Sequence, residues 1–480
     1  MLKTALFTKD VQELTADALV LGFFEGVALP DVERYHSLFD GLLSEVIRSG
    51  EFTGKSGKHI LIRCKGKIKR LYLVGLGNKE KFSLETVRET VGKAAQTLRE
   101  AGVKHFALQF FDHLDPYETA AATVEALHLA LYTFTEYKSN QEEAQIIDQV
   151  TFVGHREYFR SYDRGIKRGL IVSEAVNYVR DLQNKPCNVV TPEYLAAEAI
   201  KLAKKFKLKC TVLEKKDMEK LGMGGLLAVS RGSSHAPKFI VLEYFGGKET
   251  MCFVGKGITF DTGGISLKPA KDMDEMKFDM SGGASVLGIM QVATRFQFPY
   301  HLVGIIPTTD NVPGSKSYKP GEIIRFSNGK TAEVVDTDAE GRLILADALV
   351  YTKRFKPSIV VDLATLTGAC VVSLGDGCSG LFSTDDELTK RFTAAGEKTG
   401  EYVWHLPLFD HYKSYIKSTV ADLKNAGPRD AGSITAALFL KEFVECKRWV
   451  HLDIAGTAWT KAGGTGVGVR LITQLLEDWK

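Results

Sequence analysis

Leu71-Tyr72-Leu73-Val74-Gly75-Leu76 is a short apolar run, and Leu84–Ala101 beyond it carries apolar residues at helical spacing until Gly102 stops it. His105–Phe111 is a second apolar run of the same kind. Strand, helix and strand in succession are the building unit of an α/β layer structure. Working outward, Ala18–Phe24, His59–Cys64 and Gln149–Val153 read as further strands, and Ala120–Tyr137 reads as a helix. A long helical stretch, Tyr158–Leu182, ends where Asn184-Lys185-Pro186 forbids its continuation. Beyond it the alternation resumes. Phe239–Glu243, Met251–Gly255, Leu302–Pro307, Ile359–Leu363 and Trp449–Ile454 read as buried strands. Helices are expected at Pro192–Phe206, Gly282–Phe296, Leu343–Phe355 and Ile434–Phe443. The pattern predicts two α/β domains, residues 1–155 and 185–480, joined by a connecting helix over 156–184.

A chain of 480 residues exceeds one ordinary core, at a prior of ~150 residues per domain. Hydrophobic residues at 44% and charged residues at 25% exclude wholesale disorder, a collagen-like repeat and a coiled-coil rod. The mean hydropathy is −0.07 and no apolar run approaches ~18 residues, so no membrane span is expected. A net charge of +3 gives no reason to expect a polyanion partner. The first ten residues lack the apolar core of a secretory signal. The seven cysteines are scattered, with no C-x-x-C pair. Neither a disulfide framework nor a structural zinc site is expected, and a cytoplasmic location is.

Several familiar motifs fail on inspection. Gly50-Glu51-Phe52-Thr53-Gly54-Lys55-Ser56 is one residue short of a phosphate loop and precedes a strand, where its amides could not open a helix. Gly75-Leu76-Gly77 reads as a tight turn, because Glu80 stands where a dinucleotide fingerprint needs its third glycine. No G-x-S-x-G and no H-E-x-x-H occurs.

Three segments concentrate charge where strands should end. Val254-Gly255-Lys256-Gly257-Ile258-Thr259-Phe260-Asp261-Thr262-Gly263-Gly264-Ile265-Ser266-Leu267-Lys268-Pro269 leaves a strand at Gly255 and enters a glycine-rich loop. Met276-Lys277-Phe278-Asp279-Met280-Ser281-Gly282-Gly283-Ala284 puts Asp279 just ahead of a helix. Asp336-Thr337-Asp338-Ala339-Glu340-Gly341-Arg342-Leu343 opens another. Each residue has a plainer role open to it. Asp279 could cap a helix, Asp338 and Glu340 could complement a helix dipole, and the lysines could be solvated. Yet loops at the carboxyl ends of strands in an α/β sheet are where ligands bind. Carboxylates converging there repel unless cations neutralise them. An oxygen-rich site without His or Cys suits Mn²⁺, Mg²⁺ or Zn²⁺, and shared carboxylates suit a metal pair. The residues alone point to a two-metal hydrolase, with phosphate esters and amides both open.

These segments resemble the signature of the leucyl aminopeptidase family, in its bacterial type: cytosolic two-metal enzymes that remove N-terminal residues from peptides. Seven of eight residues in 336–343 match the family's N-T-D-A-E-G-R-L octapeptide, with Asp336 in place of the usual asparagine. Lys256 precedes Asp261 by five residues, Lys268 by twelve and Asp279 by twenty-three, as in the family. The resemblance runs from Asn184-Lys185-Pro186-Cys187-Asn188-Val189-Val190-Thr191-Pro192 to His451-Leu452-Asp453-Ile454-Ala455-Gly456, while the N-terminal half resembles the family only in length and α/β character.

The resemblance implies an N-terminal Rossmann-like or macro-like domain, and a C-terminal α/β catalytic domain around a mixed sheet. It implies metal ligands at Lys256, Asp261, Asp279, Asp338 and Glu340. Asp261 and Glu340 would be shared by two divalent ions, Mn²⁺ or Zn²⁺, and Lys256 would bind as a neutral amine. Lys268 would polarise the scissile carbonyl, and Arg342 would hold a bicarbonate that serves as general base. A water held by both metals would attack the carbonyl. One metal would take the substrate's free α-amine, which restricts the enzyme to chain ends. Met276, Thr365, Gly368 and Ala455 would line the pocket for the N-terminal side chain, leucine and other apolar residues being preferred. Ala458, where some members carry methionine, would widen it. The family also implies a homohexamer with peptide substrates and no membrane partner. A two-metal phosphoesterase is the competing enzyme. A DNA-binding regulator with secondary peptidase activity is the competing non-enzyme, but no Lys/Arg-rich run supports a nucleic-acid partner.

Overall fold

The computed structural model describes residues 2–111, 113–139 and 146–479. They fall into two units, Met1–Glu174 and Ala175–Lys480. The first is built on six strands: β1 (Lys3–Phe7), β2 (Ala16–Phe24), β3 (His59–Arg63), β4 (Ile68–Gly77), β5 (His105–Gln109) and β6 (Gln149–Val153). Their order is β1-β6-β5-β2-β4-β3, parallel except for β3 against β4. Both faces of the sheet are covered. Ala18 and Val20 face one core, while Leu19, Leu21 and Phe23 face the other. A strand buried on both sides needs an unbroken apolar run, which is why β2 and β4 stand out in the sequence.

The helix Leu84–Glu100 starts at Ser83, whose hydroxyl accepts from the Thr86 N–H at 3.3 Å, and gives way to Gly102 at φ +72°. The helix Pro116–Ala130 ends well before Tyr137, in a stretch rich in threonine and aromatic residues that are weak helix formers. The predicted connector is a helix over Phe159–Asn184, and the division between the units falls inside it. Near its start Tyr162 stacks on Phe110 at 4.4 Å and Arg168 pairs with buried Glu125 at 2.5 Å. At its end Gln183 donates to Ser281 Oγ at 2.8 Å and accepts from the Gly466 N–H at 3.0 Å. The helix is therefore core to both units, more than a spacer.

The second unit carries β7 (Lys209–Leu213), β8 (Lys238–Phe245), β9 (Thr250–Gly255), β10 (Gly257–Asp261) and β11 (His301–Asn311). A small sheet of β12 (Ile323–Arg325), β13 (Thr331–Glu333) and β17 (Leu423–Lys424) lies apart from the main one. β14 (Ile359–Ala364), β15 (Ser379–Ser383), β16 (Val403–His405) and β18 (Trp449–Asp453) complete the main sheet. Its order is β16-β15-β18-β14-β9-β11-β8-β7, with β10 beside β11. β9, β11, β14 and β18 run parallel, whereas β8 is antiparallel to β11 and β7, and β15 is antiparallel to β18. The sheet is mixed. Among the described residues no helix is long and apolar enough to cross a membrane.

Candidate metal centre

The parallel strands set the site. β9 ends at Gly255 and the chain restarts as β10, so Lys256 sits at a break in the sheet while Asp261 ends a strand the sequence suggests is loop. Glycine makes the break workable. A side chain on Gly255 would meet the Gly282 carbonyl oxygen at 2.3 Å, and one on Gly282 would meet that of Leu363 at 2.0 Å. The start of the helix Ser281–Phe296 can therefore lie against the break, with the Gly283 N–H donating to the Lys256 carbonyl at 2.8 Å. Asp279, in the last turn of the 3-10 helix Met273–Met280, is thereby brought to Lys256. It caps nothing: Met280 is the cap residue of the following helix, without a side-chain bond. Glu340 likewise precedes the helix Gly341–Thr352 without capping it.

The charged residues named from the sequence converge. Lys256 Nζ lies 2.8 Å from Asp279 Oδ1, 2.9 Å from Glu340 Oε1 and 3.0 Å from the Thr365 carbonyl oxygen. Lys268 Nζ lies 3.0 Å from Asp261 Oδ2 and 2.5 Å from Asp338 Oδ1. Asp261, Asp338 and Glu340 each bring a carboxylate oxygen within 4.8 Å of the other two. Arg342 is buried, and its Nη1 donates to the Asn425 carbonyl at 2.8 Å. Asp279 Oδ2, Arg342 Nε and Asn311 Oδ1 are among the buried atoms with no hydrogen-bond partner.

Burial and crowding shift Asp279, Glu340 and Asp338. Burial, with Glu340 and Asp261 adding to it against Lys256, pushes the Asp279 carboxyl well above its ordinary range. Burial, then Asp261, raises Glu340, and burial with Glu340 and Asp261 pushes Asp338 up to about 7. Burial alone would depress the two lysines. The surrounding carboxylates outweigh it, and both ammonium groups are held above the lysine range. Burial lowers Arg342 to about 10, opposed by Glu340 and Asp336. Four carboxylates facing two ammonium groups remain short of positive charge. A carboxylate-rich donor set of this kind, with an orphaned carboxylate oxygen, fits hard or borderline divalent cations.

The residues named for the substrate pocket are placed as follows. Met276 is half-buried on the 3-10 helix that carries Asp279. Thr365 faces the acids, its hydroxyl donating to Asp279 Oδ1 at 2.7 Å. Gly368 is exposed and begins the helix Gly368–Leu374, which Thr367 caps. Ala455 is buried beside β18, its N–H donating to Asp453 Oδ1 at 3.2 Å, and Ala458 is fully buried. Two residues the sequence reading missed are structurally prominent. Asn311, at the end of β11, donates to Asp261 Oδ1 at 2.8 Å. Asn425 accepts from the Val335 N–H at 2.8 Å and donates to the Asp336 carbonyl at 2.6 Å, which fixes the start of the 336–343 loop. Neither belongs to a motif, so only the sheet register and the loop packing reveal them.

Known proteins decide between peptide and phosphate chemistry. Residues 177–473 match the catalytic-domain model of the cytosol aminopeptidase family, and residues 20–141 match its N-terminal-domain model. The chain belongs to the cytosol aminopeptidase family. It is thus related to aminopeptidases along both units, which widens a resemblance that the sequence had shown only from Asn184 onward. A probable cytosol aminopeptidase of Roseiflexus castenholzii is 43% identical over 98% of both chains. One of Nitrosococcus oceani is 43% identical over 96% of this chain and 95% of its own. Among solved structures, a tomato leucine aminopeptidase mutant superposes with a TM-score of 0.90 at 31% identity, covering 99% of this chain and 96% of its own. The bottromycin maturation enzyme BotP in complex with Mn gives 0.86 at 33% identity, over 96% and 99%. Membership of the cytosol aminopeptidase family makes the chain an aminopeptidase, a hydrolase of peptides, around an acidic cluster suited to metal.

Proposed function

We propose that this chain removes the N-terminal residue, leucine or another apolar one, from peptides, using two divalent cations, Mn²⁺ or Zn²⁺. The observation that carries the reading is Asp279 Oδ2, a buried carboxylate oxygen with no partner in a cluster of four acids. Lys256, Asp261, Asp279, Asp338 and Glu340 would hold the ions, with Asp261 and Glu340 shared. The ions would supply Lewis-acid polarisation and a nucleophile available near neutral pH.

The protein's own groups divide the remaining work. Lys256 would release its proton to bind as an amine, which displaces its present ion pairs. Lys268, partly exposed and kept protonated by Asp261 and Asp338, donates to the scissile carbonyl oxygen and stabilises charge as it develops. Arg342, anchored through one Nη on Asn425, has its buried Nε free to hold an anion such as bicarbonate as proton acceptor. Met276, Thr365, Gly368 and Ala455 would receive the N-terminal side chain. A cytoplasmic homohexamer is the assembly that the family resemblance supports.

The test is chromophore release from leucyl-p-nitroanilide by purified protein with Mn²⁺, with Zn²⁺ and after chelation. Activity should vanish on chelation and on N-acetylation of the substrate, and Asp279→Ala should lose about 100-fold or more. Equal activity on the acetylated substrate, or in chelator, would sink the proposal.

A further inference from the structure

Asn311 ends β11 in register with Asp261 on β10 and is fully buried. Its carbonyl is held by the Thr262 N–H at 2.9 Å and by the Thr262 hydroxyl at 3.0 Å, so its backbone has little freedom. The side-chain amide donates to Asp261 Oδ1 at 2.8 Å and to the Thr337 carbonyl at 3.0 Å, and lies 3.5 Å from Glu340 Oε2. Two amide hydrogens thus serve three acceptors, two of them carboxylates on different segments. Asn311 Oδ1 is buried with no hydrogen-bond partner. A flipped amide would turn that oxygen toward two negative groups, so the charges select the observed orientation. An orphaned buried carbonyl is costly, and the fold bears this cost where a leucine would avoid it. A lysine would also hold these carboxylates, but it would cancel the charge that attracts a cation. An amide orients them and leaves their charge intact.

We propose that Asn311 is a positioning residue that fixes Asp261 and Glu340 from behind and thereby sets the affinity of the centre for divalent cations. The proposal rests on the metal-centre reading above. Groups one step removed from a metal typically alter affinity 10–100-fold when changed, because they orient the ligands.

The experiment is calorimetric titration of chelator-stripped, full-length protein with Mn²⁺, alongside melting curves with and without the metal. Asn311→Leu, close in volume and without donors, should bind Mn²⁺ about 10–100-fold more weakly. Its metal-free Tm should stay near the parent's, while the rise in Tm on adding Mn²⁺ should shrink. A purely structural role would lower both melting curves together and leave the affinity unchanged. Asn311→Ser, which keeps one donor, should fall between Asn311→Leu and the parent, and it serves if the leucine variant does not fold. A folded Asn311→Leu, or failing that a folded Asn311→Ser, that binds within about twofold of the parent overturns the proposal. A parent that binds no Mn²⁺ instead removes the metal-centre reading beneath it.

Discussion

Asp336 stands where the family signature has asparagine, and its Oδ1 accepts from the Asp338 N–H at 2.9 Å. An asparagine side-chain oxygen makes the same turn bond, so the geometry of the loop survives the exchange. What the carboxylate adds is charge, one of the influences that oppose the effect of burial on Arg342. Asp336→Asn should therefore keep kcat/KM within about threefold at neutral pH. Asn425 matters more, since its side chain pins the start of the loop while its carbonyl holds Arg342. Asn425→Ala should cost about 10-fold or more in kcat/KM with circular dichroism unchanged. The lysines and acids of the site were legible because their spacing matches a long signature. Asn311, Asn425 and the inward-turned hydroxyl of Thr365 were not. An isolated asparagine reads as a turn former, and only tertiary packing brings it to a carboxylate.

Elements were legible where both faces of a strand are buried or a cap and a stop bracket a helix. Pro192–Phe206 has the predicted bounds, with Thr191 accepting from the Tyr194 N–H ahead of it. β10 was read as loop because Gly255 and Gly257 at its start mask a strand that pairs on one edge only, with β11. Those glycines, with Gly282 across from them, exist for close approach. Gly282→Ala places a Cβ 2.0 Å from the Leu363 carbonyl oxygen and should destabilise by ~1–3 kcal/mol in a denaturant melt, with activity lost. The helix Gly341–Thr352 carries a second feature that composition hides. Asp347 is fully buried, and burial pushes its carboxyl up to about 8 although the Leu226 and Gly225 N–H groups pull it back. An acid whose folded pKa is raised holds its proton more tightly when folded. Its stabilisation is full below the unfolded value of 3.8 and is lost as pH rises through about 8. Asp347→Asn has no such slope, so its Tm relative to the parent should rise between about pH 4 and about pH 8 and level off above that.

At the scale of the molecule each unit has its own core, and all four tryptophans, Trp404, Trp449, Trp459 and Trp479, lie in Ala175–Lys480. Tryptophan fluorescence therefore reports the catalytic unit alone. Saturating Mn²⁺ at about 100 Kd adds ~2.7 kcal/mol to the stability of whatever folds around it. Melting followed by tryptophan emission should shift upward by several degrees with Mn²⁺, and the shift should disappear in Asp279→Ala. The account stands on a centre for two cations. The direct test is the number of ions bound per chain after stripped protein is dialysed against Mn²⁺ and analysed for metal. About two ions per chain, with Asp279→Ala holding fewer and losing its peptidase activity in parallel, is the predicted result. A chain that hydrolyses leucyl-p-nitroanilide at full rate while binding no metal would contradict it.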